Sequence, residues 1–113
     1  MYTINVIQGP EIIYDNYDED FSKRLESIVS IEEINYTIDI EGTDKGFYIF
    51  YRDANNKVIK DKSSWDFDEK THVDNTLGKN INDILEKLAY GTFYGEIQQG
   101  DIYSSEEILS WEF

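Results

Sequence analysis

The sequence predicts an α+β fold in which two or three α-helices pack on an antiparallel β-meander, within one compact domain spanning residues 1–113. Two strand-like segments, 34–41 and 47–51, flank a turn that contains two glycines. Two other segments, 21–29 and 81–88, carry apolar residues at helical spacing. A chain of 113 residues is long enough to enclose one hydrophobic core.

The N-terminal segment predicts a short strand over residues 2–7, because apolar and polar residues alternate there. Gly9 and Pro10 are expected to end this strand. The apolar run 12–14 is either a second short strand or an apolar anchor before the acidic run 15–20.

An amphipathic helix is predicted next. Its apolar stripe has the spacing i, i+4, i+7 and i+8, and consists of Phe21, Leu25, Ile28 and Val29. Carboxylates just before the first turn of a helix interact favourably with its dipole, by ~0.3–1 kcal/mol each. This predicted helix would therefore explain part of the acidic run that precedes it.

The clearest strands follow as a three-stranded meander. Residues 34–41 alternate between apolar and polar, and 42–46 form a hairpin loop. Residues 47–51 are apolar throughout, which is typical of a central strand covered on both faces. After a turn at 53–56, residues 57–60 are expected to return as an edge strand.

The C-terminal half begins with a long polar connection over residues 61–80. The apolar spacing over 81–88 predicts a second helix that ends at Gly91. Residues 92–97 are interpreted as another strand. Ser104 and Glu107 have capping-box spacing, and the apolar residues behind them suit a short helix or a terminal strand.

The net charge of the chain indicates which class of partner it can bind. The chain has 24 acidic and ten basic residues, a net charge of −14 and a pI near 4.2. Nine Tyr, six Phe and two Trp argue against a disordered acidic tail. A folded domain with this field would repel nucleic acid and anionic lipid, and it would attract a basic protein. We therefore expect a basic protein partner.

Other compositional features predict a soluble, cytoplasmic protein. The sequence contains no cysteine, which excludes disulfides and thiolate metal sites. The N-terminal residues lack the basic and apolar regions of a secretion signal. No apolar run approaches the ~18 residues of a membrane span.

Catalytic and metal-binding patterns are weak, so we expect neither an enzyme nor a cofactor or metal site. His72 is the only histidine and stands in a polar stretch without a nucleophile motif, which is typical of a solvated histidine. The run 15–20 is as acidic as a calcium loop, but Asp20 stands where such a loop requires Gly.

Protein recognition fits the residues better, because acidic and aromatic residues are interleaved in two segments. Aromatic anchors among steering charges are typical of protein interfaces. The candidate contacts are Tyr14, Asp15, Tyr17, Asp18, Glu19, Asp20, Trp65, Asp66, Asp68 and Glu69. The outward face of the first meander strand adds Asp39 and Glu41 as secondary candidates. The alternative is that the aromatic side chains fold onto the core and the carboxylates are merely solvated.

The predicted order of helix, strand and strand over 21–52, with Trp111 and Glu112 near the end of the chain, resembles the immunity proteins of bacterial polymorphic-toxin and contact-dependent-inhibition systems. The resemblance implies an inhibitor that plugs a nuclease or deaminase toxin. The segments 61–80 and 91–100 have no counterpart in it.

Two other classes stay open. A phage-encoded DNA mimic, of the anti-restriction or anti-CRISPR kind, would carry carboxylates in rows at phosphate-like spacing. A small-ligand-binding domain would require a deep polar pocket around His72 or the aromatic residues.

Overall fold

A computed structural model describes residues 2–16, 22–43, 45–65, 68–73 and 77–112, with residues 14–16, 22 and 65 described by their backbone alone. The elements in chain order are β1 (Thr3–Asn16), β2 (Ser22–Ile31), β3 (Ile34–Thr43), β4 (Gly46–Arg52), β5 (Val58–Trp65), β6 (Asp68–Val73), α1 (Lys79–Tyr94), β7 (Ile102–Ser104) and α2 (Ser105–Leu109). The strands form one antiparallel sheet in the order β6-β5-β4-β3-β2-β1-β7.

The predicted antiparallel meander with helices on it is confirmed in outline, as a single compact domain. Sheet dominates it, since seven strands accompany two short helices in the described residues. The helices cover one face of the sheet and enclose the core, which includes Ile38 and Ile40 of β3 and Leu85 and Leu88 of α1. None of the helices in the described part of the chain is long and apolar enough to cross a membrane.

The helix predicted over 21–29 is wrong, because this segment belongs to β2. Leu25, Ser27 and Val29 alternate along the strand and are all buried on the helix-covered face. The alternation is hidden in the sequence because a serine occupies a core position. Ser27 Oγ accepts a hydrogen bond from Thr92 Oγ1 of α1 at 3.0 Å. This bond offsets the cost of removing the serine hydroxyl from water.

The predicted connection over 61–80 is also wrong in its first half, where β5 continues to Trp65 and pairs with β6. β5 is consequently an interior strand rather than the expected edge. Its helix-facing positions are Lys60 and Lys62 instead of apolar residues. These lysines give the strand a polar appearance in sequence, although Lys60 is only 2% exposed.

β1 does not end at Gly9 and Pro10, as the sequence predicts, but continues to Asn16 through three register shifts against β2. Gly9 has φ 95°, and a Cβ there would lie 2.5 Å from the carbonyl oxygen of Glu26. Glycine therefore permits a close approach of two strands at this point rather than ending one of them.

The second predicted helix is confirmed as α1, but it ends at Gly95 rather than Gly91. Gly95 adopts φ 71° and caps the helix, so the strand expected over 92–97 is wrong. Gly91 serves packing instead, since a Cβ there would lie 3.0 Å from Cγ2 of the buried Ile97.

The predicted capping box is confirmed and opens the short helix α2. The Ser104 side chain accepts a hydrogen bond from the Glu107 backbone N–H, and the Glu107 side chain accepts one from the Ser104 N–H. This arrangement fixes the end of β7 beside β1 and buries Ile108 under the sheet.

The central strand β4 is covered on one face only, which corrects the expectation of two covered faces. Ile49 and Tyr51 point into the core, whereas Tyr48 is 37% exposed on the opposite face. An antiparallel sheet tolerates this arrangement because one face can remain in contact with water.

Candidate protein interface

The connections β1–β2, β3–β4 and β5–β6 all lie at one end of the sheet, which we call the hairpin end. A single cross-strand row of paired residues marks it and consists of Asn16, Ser22, Thr43, Gly46, Trp65 and Asp68. The two acidic–aromatic segments predicted from the sequence, 14–20 and 65–69, adjoin this row from its two sides. Two segments that are distant in sequence thus come to the same end of the fold.

The chain is strongly acidic at the hairpin end. The segments 14–23, 41–46 and 65–70, which contain its three connections, hold nine acidic and three basic residues. Five aromatic residues accompany the acidic ones in the first and last of these segments. Charge and aromatic content therefore coincide where the three hairpins end.

The structure describes the predicted contact residues to different extents. Asp68 and Glu69 are exposed on β6. Tyr14 and Asp15 belong to β1 and Trp65 to the end of β5, each described by its backbone. The remaining predicted contacts, Tyr17, Asp18, Glu19, Asp20 and Asp66, lie outside the described residues.

Asp39 lies on the face of the sheet opposite the helices, as the sequence predicts, but it is only 5% exposed there instead of being solvated. Its Oδ1 accepts a hydrogen bond from Arg24 Nε at 2.9 Å, and its Oδ2 accepts one from Arg24 Nη2 at 2.5 Å. Arg52 Nη1 approaches Oδ2 at 3.5 Å. The hydrogen bond to Asp39 and its charge raise the pKa of Arg24. Asp39 is therefore a buried ionic anchor, while Glu41 on the same face is half-buried.

A second ionic cluster joins the sheet to α1 on the covered face. Glu86 contacts Lys60 Nζ at 3.3 Å and Lys62 Nζ at 3.1 Å, and Lys62 also donates to the Tyr90 hydroxyl at 3.0 Å. Burial lowers the pKa of Lys60 and outweighs the opposing effect of Glu86. Burial acts to raise the pKa of Glu86, but the hydrogen bond from Lys62 and the two lysine charges lower it.

These two clusters change the charge that remains elsewhere. Four of the ten cations pair with two of the 24 carboxylates, so 22 acidic and six basic residues remain for the rest of the chain. The sequence signal for the second cluster is the placement of Lys60 and Lys62 two residues apart, which in a strand puts both on one face.

An apolar pocket of about 80 Å³ opens between the last turns of α1 and the strands β3 and β4. Its lining residues are Ile40, Phe47, Ile49, Ala89, Tyr90, Phe93 and Tyr94. Phe93 is 46% exposed and Tyr94 59% exposed, and their rings pack edge to face with centroids 5.2 Å apart. Periodicity alone did not reveal this site, because the sequence interpretation assigned residues 92–97 to a strand.

His72 lies on the exposed edge strand β6, and its Nδ1 is 3.1 Å from Oδ1 of Asp61. Both side chains are accessible to solvent, which fits the interpretation of a solvated histidine. Within the ranges that the structure describes, no three His, Asp or Glu side chains are grouped closely enough to hold a metal ion.

Comparisons of the chain with protein-family models, with curated proteins and with solved structures found no match. The order of helix, strand and strand that suggested immunity proteins also changes in one respect, since residues 22–31 form a strand. The functional interpretation therefore depends on the surface described above.

Proposed function

We propose that this chain is an acidic protein-binding inhibitor, of the immunity-protein type, that neutralises a basic nuclease or deaminase toxin by covering its active site with the hairpin end. The observation that supports this most is that both acidic–aromatic segments adjoin the same end of the sheet, with β3 and β4 between them. An inhibitor of this kind presents one concentrated surface, and three adjacent hairpins provide one.

The negative charge of the hairpin end favours a basic partner by increasing the rate at which the two proteins associate. An acidic surface facing a basic groove raises association rates roughly 10–10³-fold through long-range attraction. Aromatic side chains within the surface then supply most of the binding energy once the charges have oriented the two proteins.

The small-ligand alternative is supported by a recess of about 450 Å³ that is lined by Glu96, Tyr103, Trp111 and Glu112. The recess beside His72 has a volume of about 220 Å³ and is lined by Lys60, Asp61 and Val73 among others. Typical small-molecule sites enclose ~300–1,000 Å³. The DNA-mimic alternative predicts binding to a nucleic-acid-processing enzyme, so the capture experiment below distinguishes it by the identity of the partner.

The test is affinity capture from a lysate of the source cell, followed by binding measurements with the purified captured protein. The variant Asp68→Lys/Glu69→Lys reverses two exposed charges at the hairpin end. The control Glu33→Lys/Glu106→Lys makes the same change in net charge at exposed positions away from it. We expect a basic toxin-like enzyme whose affinity falls at least tenfold for the first variant and less than threefold for the control.

Two results would contradict the proposal. One is a captured partner without excess positive charge. The other is an equal loss of affinity in both variants, because that would assign the interaction to net charge rather than to the hairpin end. A restriction or CRISPR enzyme as the partner would favour the DNA-mimic alternative instead.

A further inference from the structure

We propose that the pocket at the C-terminal end of α1 receives an apolar side chain of the partner, from a segment that carries Lys or Arg three to four residues to either side. This inference rests on the proposed function, because it names the feature of the basic partner that the hairpin end would bind. Leucine and methionine are the side chains that suit the pocket best.

The pocket has room for the end of such a side chain. Its volume of about 80 Å³ far exceeds the ~10–15 Å³ that one water molecule needs, and its walls are almost entirely aliphatic and aromatic. Phe93 and Tyr94 stand at its mouth, roughly half exposed, while Ala89 at its base is 1% exposed. Single exposed apolar residues are normal, but adjacent aromatic rings around a recess are typical of an interface anchor.

The pocket lies between the two acidic hairpins. Phe47, which lines it, belongs to a cross-strand row that also contains Asp15 on one side and Glu69 on the other. Neighbouring strands are about 4.8 Å apart, so Glu69 is roughly 10 Å and Asp15 roughly 14 Å from Phe47 along the row. An extended segment covers these distances in about three to four residues.

The cations nearest the pocket are Lys62, Lys23 and Lys45, of which Lys45 is exposed in the β3–β4 hairpin. Lys62, beside the pocket, is held by Glu86 and Tyr90. Lys23 lies in the same row next to Asp15, so we place the stronger attraction on the Glu69 side. Asp68, which pairs with Lys70 at 3.6 Å, alternates to the opposite face of β6, so Glu69 is the exposed carboxylate of β6 that shares the pocket's face.

The end of α1 adds a further negative contribution. Its last turn contains no basic residue, and the helix ends at Gly95, where backbone N–H groups donate to the carbonyl oxygens of Gly91 and Thr92. Such an end carries a partial negative charge that stabilises nearby cations. A lysine or arginine beside the inserted side chain would therefore be favoured at the mouth of the pocket as well as at the hairpins.

The experiment is a titration of the ¹⁵N-labelled full chain, followed by NMR, with three blocked heptapeptides. The first has leucine at its centre, lysine at each end and glycine–serine spacers. The second replaces the leucine with alanine, and the third replaces both lysines with glutamate. We expect the first peptide to shift the amides of Phe47, Ala89, Phe93 and Tyr94, with a Kd at least fivefold lower than that of the second and no binding of the third.

Pocket variants separate insertion from general attraction. Ala89→Leu fills the pocket without changing any charge and should weaken the first peptide at least fivefold. Because a larger side chain at a buried position can disturb folding, Tyr94→Ser at an exposed position provides a second test with the same expectation. The control Ile34→Ser changes an apolar residue that is 52% exposed at the opposite end of the sheet, and it should leave the Kd unchanged.

Equal affinity for the leucine and alanine peptides would overturn the pocket proposal, while attraction of basic segments to the hairpins would still agree with the proposed function. A failure of all three peptides to bind would also overturn it. In that case the proposed function would be decided by the capture experiment, which does not depend on the pocket.

Discussion

The two ionic clusters around Asp39 and Glu86 are rich in cations, whereas the hairpin end is rich in carboxylates. Around Asp39 and Glu86, two carboxylates bind four cations. The segments of the hairpin end contain nine acidic residues and only three basic ones. The chain thus places four of its ten cations around one buried and one partly buried carboxylate, and the hairpin end keeps an excess of negative charge.

The comparison indicates that the two sets of carboxylates have different roles. A carboxylate that is removed from water requires cations and hydrogen bonds, and breaking such a pair leaves an uncompensated charge. A carboxylate at an exposed position contributes little to folding, typically 0–1 kcal/mol even when it is paired. Folding stability should therefore depend on the ionic clusters around Asp39 and Glu86, and recognition on the hairpin end.

The largest expected effect on stability comes from Asp39→Ala, which leaves Arg24 and Arg52 without their shared carboxylate. Because both arginines are partly exposed, we expect a loss of about 2–3 kcal/mol in the free energy of unfolding, somewhat below the range for fully buried pairs. The matched change Asp68→Ala at the hairpin end should cost less than about 0.5 kcal/mol. Urea denaturation measures both, and similar losses would contradict the distinction.

A smaller effect is expected at the second cluster. Lys60→Met removes a charge whose burial lowers its pKa, while Lys62 still pairs with Glu86. The free energy of unfolding should change by less than about 1 kcal/mol, or increase, because replacing a buried ion by an apolar side chain of similar size is often neutral. A loss above about 3 kcal/mol would show that the lysine charge itself stabilises the fold.

An effect that depends on pH is expected at Asp101, whose carboxylate accepts hydrogen bonds from two neutral donors, the Gln98 backbone N–H and the Tyr103 hydroxyl. The Tyr103 hydroxyl donates to it at 2.6 Å, and burial together with this hydrogen bond raises the pKa of Tyr103 to about 12. Above pH 10 the unfolded chain releases a proton that the folded chain retains, so this contribution to stability is lost as the pH rises from about 10 to 12.

Tyr103→Phe isolates this contribution. The variant should be about 1 kcal/mol less stable than the native chain at pH 8, because it lacks one hydrogen bond. The difference should shrink as the pH approaches 12, since only the native chain has this phenol to titrate. Thermal melts across this range provide the measurement, and a constant difference would contradict the assigned pKa shift.

The sequence predicts the meander, α1 and the capping box because each depends on local patterns. It misassigns β2 and β5, since their inward positions hold Ser27, Lys60 and Lys62, whose burial depends on partners in α1. Once β2 and β5 are assigned, the position of the hairpin end can be predicted, because every second connection of a meander lies at the same end of the sheet. The pocket could not be predicted, as it requires the helix to continue past Gly91.

The central claim is that the hairpin end attracts a basic partner. The most direct measurement is the association rate constant with the captured partner at increasing salt, for the native chain and for Asp68→Lys/Glu69→Lys. We expect the native rate to fall at least tenfold between about 20 and 500 mM NaCl, and the variant to be slower at low salt with a flatter dependence. A native rate that is independent of salt, or a variant that matches it at low salt, would contradict the claim.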